Sequence, residues 1–170
     1  MSVPFKLNGK HLYQIMLTLP EIVDLAQKIG KAESEWTDED INALSVDLGL
    51  YPTSVVLTSE TYSRNTSRTA NYELENIQIV NRKAKPEFTW DIIKAQYVAS
   101  LMRELSYTYG FKNSSGDIVP QDSPILTVTY QDFVGMRTIN AYLGQTIDGT
   151  LEKYNDNLYW RGFRIAFPER

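Results

Sequence analysis

Two periodicities take turns along the chain. Phe5-Lys6-Leu7 leads into Asn8-Gly9, the strongest short hairpin signal, and then into the apolar run Leu12–Leu17, which predicts a strand pair at the start. Thr18-Leu19-Pro20-Glu21 has the pattern of a helix N-terminus, with a capping hydroxyl, an early proline and an acid three residues after the cap. Ile22, Leu25, Ala26 and Ile29 then recur at helical spacing until Gly30. Thr37-Asp38-Glu39-Asp40 opens a second short helix, with Ile41, Leu44 and Leu48 on one side and Gly49 as its stop. Acids in a first turn suit the positive end of the helix dipole.

Beyond Pro52 the period falls to two. Val55–Thr58 predicts a strand and Ser63–Ser67 a polar loop. From Ala70 the alternation runs through Tyr72, Leu74 and Asn76, slips by one residue and resumes at Ile77 and Ile79, the mark of a bulge or a turn. Lys83, Lys85, Glu87 and Thr89 then alternate with Ala84, Pro86, Phe88 and Trp90, and Pro86 predicts an edge strand or its beginning. Asp91–Leu105 has the clearest helical spacing, through Tyr97, Leu101 and Leu105. Ile125–Tyr130 and Met136–Leu143 flank a turn near Gly135, and Gly144–Asn157 is a polar connection. In the last strand Trp160, Gly162, Arg164 and Ala166 share one face, and Tyr159, Arg161, Phe163, Ile165 and Phe167 share the other.

The pattern predicts one α+β domain over residues 1–170, mainly antiparallel and β-sandwich or barrel-like, with one main flanking helix. A helical element inserted at about residues 20–52, bracketed by Pro20 and Pro52, is expected to be an accessory contact element rather than part of the core.

Composition removes whole classes of chemistry. With no cysteine, disulfide frameworks, thiolate metal sites and cysteine nucleophiles are excluded. The single histidine, His11, excludes two-imidazole sites such as HExxH. No GxSxG, Walker loop or GxGxxG occurs. The net charge of −4 lacks the basic excess of a duplex-binding domain, and the apolar run Leu12–Leu19 is too short and broken to span a membrane. A soluble protein made in the cytoplasm is expected, without sequence-specific nucleic-acid binding.

The remaining clusters favour contact over catalysis. Asp38, Glu39 and Asp40 point in different directions around a helix start, and Glu73 and Glu75 lack a partner at a telling spacing. Arg82, Lys83 and Lys85 make a charged edge that discourages uncontrolled pairing or meets a neighbouring subunit. Arg64 and Arg68 lie in the polar loop leading to it. Eleven tyrosines, with aromatics crowding the C-terminal half, supply both core and interface material. No catalytic residue, metal ligand or cofactor is expected, and the chain reads as an interaction part rather than an enzyme.

Taken in order, several segments carry a resemblance: Phe5–Lys10, Ser67–Ala70 with Glu73-Leu74, Asn81–Lys85 up to Trp90, the helix around Leu101–Leu105, Thr127–Tyr130 with Thr138–Tyr142, and Tyr159–Phe167. Their order resembles small proteins of unknown function from the tail modules of long-tailed phages and prophages of Gram-positive bacteria. The segment Pro20–Pro52 departs from that pattern. The resemblance implies a β-sandwich with a flanking helix and a virion structural role in the tail tube, tail tip or baseplate region. It also implies assembly as a ring, with other copies and neighbouring tail proteins as partners. In such a ring Arg64, Arg68, Arg82, Lys83 and Lys85 are expected to meet Asp38, Glu39 and Asp40 of the next subunit. The alternative is a non-catalytic cytoplasmic adaptor or small-ligand-binding domain that uses the aromatic cluster as a pocket.

Overall fold

The computed structural model describes residues 3–64, 67–68, 74–75, 78–107, 112–119 and 124–170, with the backbone alone for those between 62 and 81. Strand β1 (Phe5–Leu7) turns at Asn8-Gly9, both at positive φ (52° and 73°), into the two-residue β2 (Lys10–His11). Helices α1 (Leu12–Met16), α2 (Leu19–Ile29) and α3 (Asp38–Asp47) follow, with a short 3₁₀ turn at Glu33–Glu35. Next come β3 (Ser54–Arg64), β4 (Ser67–Arg68), β5 (Leu74–Glu75) and the long β6 (Gln78–Lys94), which runs directly into α4 (Ala95–Glu104). The chain finishes with β7 (Leu126–Asp132), β8 (Gly135–Ala141), β9 (Asp148–Tyr154) and β10 (Asn157–Ala166).

Two antiparallel four-stranded sheets result, in the orders β2-β1-β7-β8 and β3-β6-β10-β9. They face each other across an aromatic layer. Phe5 of β1 lies 4.5 Å from Phe88 of β6, ring centre to ring centre, Phe88 stands edge-on to Tyr130 of β7, and Phe167 touches both phenylalanines. Trp90 adds a contact to Phe163 at 5.4 Å. Each such pair stabilises by about 0.5–1.5 kcal/mol beyond its area burial. This is the expected α+β sandwich.

The C-terminal tail closes one seam of it. Phe167 and Glu169 donate their amides to the Pro86 and Ala84 carbonyls on one side, while Tyr142 donates to Pro168 and Arg170 to Asn140 on the other. Gly144 donates to the Ala166 carbonyl at 2.8 Å. A Cβ there would sit 2.7 Å from that oxygen, so only glycine permits the approach.

Four sequence expectations change. Leu12–Leu17 is mostly helix, because Gln14 accepts the His11 amide and starts α1, which buries Leu12, Tyr13 and Met16 near α4. An unbroken apolar run has no period with which to choose strand over helix. The main helix begins at Ala95, because Asp91–Lys94 continue β6 and Ile92–Lys94 pair with β10, Trp160 opposite Ile93. Pro86 lies on the second strand of its sheet, not at an edge. In an antiparallel ladder a residue's N–H and C=O point the same way, and the Pro86 carbonyl faces Phe167 where β10 gives way to the tail, so the missing donor falls at the end of that ladder. In the last strand the alternation breaks at a bulge at Gly162 (φ 62°), leaving Arg161 exposed and Trp160 partly buried.

The helical segment also differs from expectation. Its caps form as predicted, with Thr18 and Thr37 accepting amides of the first turn and Gly30 at positive φ ending α2. Yet Ile22, Trp36, Ile41, Leu44, Leu50 and Tyr51 are buried in the common core. Trp36 packs on Tyr13 at 5.2 Å, and the indole N–H of Trp90 donates to the Leu50 carbonyl at 2.9 Å. The segment is part of the core, not an accessory to it.

Candidate functional site

The hairpin of β3 and β6 is longer than the body that holds it. The two strands pair without a break from Ser54 opposite Thr89 to Tyr62 opposite Asn81, then shift register and continue to Arg64 opposite Gln78. On the other side of β6, β10 pairs only from Lys94 to Glu87, and the tail reaches no further than Ala84. Among the described residues, no third strand pairs with Gln78–Lys83. At about 3.3 Å per residue this two-stranded ribbon runs roughly 20 Å past the last support from the sheet. Ser67-Arg68 and Leu74-Glu75 pair in the same antiparallel sense further along the chain.

Of the predicted basic residues, Arg64, Arg82 and Lys83 lie on this ribbon, and Lys85 lies in the stretch of β6 that the tail supports. Arg82 is exposed and donates its Nε to the Thr61 hydroxyl at 3.4 Å across the strands. Lys83 is half-buried opposite Glu60, and Lys85 is exposed opposite Thr58. Arg64 ends β3 and Arg68 lies in β4, so the expected polar loop is partly strand, and their side chains lie outside the described set. The phase slip at Asn76-Ile77 and Glu73 also lie outside the described residues, and Glu75 is described by its backbone alone.

The predicted acidic residues open α3, and one of them is already committed. The Asp40 carboxylate accepts the Thr37 amide at 3.0 Å and the Lys31 ammonium at 3.1 Å, and the Asp40 amide donates to the Thr37 hydroxyl. The Thr37 amide first, then Lys31, holds the Asp40 carboxyl below its ordinary value. Asp38 and Glu39 remain exposed. Among the described residues no ion pair joins this helix to the ribbon, so one chain does not bring the two predicted sets together.

Two surface features escaped the sequence reading. Between α2 and α3 runs an open groove with Ile29, Ala43 and Leu44 as its apolar floor and Lys28, Asp40 and Asp47 on its rim. At the β7–β8 turn, Phe133 and Val134 are 75% and 89% exposed, where turn chemistry favours small polar residues. That tip is braced from below. The Asp132 carboxylate accepts the Phe133 amide, the Tyr130 hydroxyl at 2.8 Å and Arg137, and Arg137 continues to Glu169 at 2.9 Å. The signal for the tip was present in Phe133-Val134 beside Gly135, two apolar residues at a turn position.

Burial pushes the Asp132 carboxyl up, but the hydrogen bonds from Tyr130, Phe133 and Arg137 outweigh it and hold the group below its ordinary value. A carboxyl lowered in the fold adds stability above its unfolded pKa of about 3.9, and loses it as the pH falls through the lower folded value. Asp132→Asn is expected to lower stability at pH 7 by about 1–3 kcal/mol and to flatten the acid limb of the stability–pH curve. Denaturant melts from pH 3 to 7 check this; an acid limb as steep as wild type would contradict it.

Among the described residues, no group of three or more His, Asp or Glu side chains could hold a metal ion, and no helix is long and apolar enough to cross a membrane. No protein-family model matches the chain, and neither a curated protein nor a solved structure matches it.

Proposed function

We propose that this protein is a structural subunit of a long-tailed phage tail, in the tube, tail-tip or baseplate region, made in the host cytoplasm and incorporated into the virion. Its partners are other copies of itself in a ring and the neighbouring tail proteins. The observation that carries the reading is the ribbon. An isolated two-stranded hairpin is marginally stable in water, and one that runs past its sheet with an open edge is suited to docking on another surface. The resemblance of its segment order to tail-module proteins is what suggests the kind of assembly. The work in this reading is contact, and each copy offers the same contacts repeatedly.

A second reading has one observation in its favour. Val98, Met102, Trp160 and Phe163 line a half-open apolar cleft beside α4, where a Cβ on Gly149 would stand 3.3 Å from the Trp160 ring. A small-ligand module would use such a cleft.

Mass spectrometry of purified phage particles from a host carrying this gene separates the two. The tail reading predicts the protein in the tail fraction at a fixed multiple of the other tail proteins. Its absence from particles, with the protein free in the lysate, would overturn that reading and leave the ligand module.

A further inference from the structure

We propose that the groove between α2 and α3 receives the basic ribbon of a second copy of this chain, so that copies join head to tail. This rests on the ribbon being an assembly arm and names the surface that takes it.

Charge is segregated along the chain. Residues 21–47 hold eight acidic and two basic side chains, net −6, which is more negative than the whole chain at −4. Everything outside that segment therefore carries +2. Asp38, Glu39 and Asp47 are exposed and make no ion pair among the described residues. On the ribbon side Arg82 and Lys85 are exposed and Lys83 is half-buried opposite Glu60; among the described residues none of the three makes an ion pair, and Arg82 bonds to Thr61. Among the described residues, Asp38, Glu39 and Asp47 on one surface and Arg82 and Lys85 on the other have no ion-pair partner, and the two sets are opposite in sign.

The apolar parts also match. The floor of Ile29, Ala43 and Leu44 offers burial to a strand, and Val56 stands 60% exposed on β3, opposite Glu87 and two residues before Thr58, which faces Lys85. One copy cannot satisfy both surfaces. The helical segment is tied to the Trp90 end of β6 through the Leu50 carbonyl, whereas Lys83 lies seven residues along the strand in the other direction. At about 3.3 Å per residue, that separates them by roughly 23 Å. Two different patches that fit each other across copies make a heterologous contact, which closes into a ring or grows as a filament. Opposite charge at the rim sets the encounter rate and the salt dependence of such a contact.

The test uses two full-length variants. In Lys83→Glu/Lys85→Glu the ribbon is reversed; in Glu39→Lys/Asp47→Lys the groove side is reversed. All four positions are outside the core, so each monomer is expected to keep the wild-type melting midpoint. Alone, each variant is expected to associate about tenfold to a hundredfold more weakly than wild type at low salt. Mixed in equal amounts they are expected to regain wild-type association, because every ribbon then meets a groove of opposite charge. A third variant, Ala43→Tyr, fills the groove from an exposed position without altering charge and is expected to abolish association at every salt concentration.

Sedimentation velocity from about 50 to 300 mM salt, where the screening length falls from roughly 14 to 6 Å, reads all of these. If wild type assembles but the mixture does not regain association, or Ala43→Tyr assembles normally, the groove is not the acceptor and this inference falls while the assembly reading stands. A wild-type chain that remains monomeric throughout overturns both.

Discussion

Replacing Trp90 with alanine is expected to lower the unfolding free energy by about 3–5 kcal/mol, the range for removing a buried aromatic side chain from a core. Trp90 is fully buried and stands where three parts of the molecule meet. Its ring contacts Phe5 of the facing sheet and Phe163 of β10 in its own sheet, and its indole N–H holds the Leu50 carbonyl of the helical segment. For a domain whose total stability is about 5–15 kcal/mol, that loss is a large fraction. Trp90→Phe separates the two contributions. It retains most of the packing but leaves a buried carbonyl without its donor, at a cost of about 1–3 kcal/mol. Denaturant unfolding of the two variants gives both values. A loss under about 1 kcal/mol for the alanine variant would show that the sheets and the helical segment do not share a core.

Deleting residues 20–49 and closing the gap with a short Gly/Ser bridge is expected to abolish cooperative unfolding. The deletion removes Ile22, Trp36, Ile41 and Leu44 from the core and uncovers the Tyr13 ring against which Trp36 packs. At about 1.5–3 kcal/mol for each buried side chain, the four together contribute roughly 6–12 kcal/mol, as much as a domain of this size has in total. Thermal melts of the deletion variant check this. A sigmoidal transition near the wild-type midpoint would restore the helical segment to the accessory role its bracketing prolines suggested.

How much of this was legible in the sequence depends on whether the signal is local. The caps of α2 and α3 are short-range hydrogen bonds made by Thr18 and Thr37 within three residues, and both helices are where the sequence places them. Asn8-Gly9 specifies its turn in the same way. Strand β9 lies inside the stretch Gly144–Asn157 that the sequence predicts as a polar connection, and it had a local signal as well. Asn155 and Asp156 both sit at positive φ and turn β9 into β10, but the polar residues of Asp148–Tyr154 disguise a strand that is largely exposed. Other features are not local. Whether Leu12–Leu17 is strand or helix depends on α4 lying nearby, and the placing of Pro86 depends on where β10 ends. The candidate site divides along the same line. The basic and acidic residue types were readable, whereas the reach of the ribbon was not, since it is set by where β10 and the tail stop supporting β6.

The self-association proposed for the chain is read from the mass of the wild-type protein in solution. Sedimentation velocity across a concentration series at low salt is expected to show species heavier than the monomer that grow with concentration and weaken as salt is added. A single monomeric species at every concentration and every salt would contradict it.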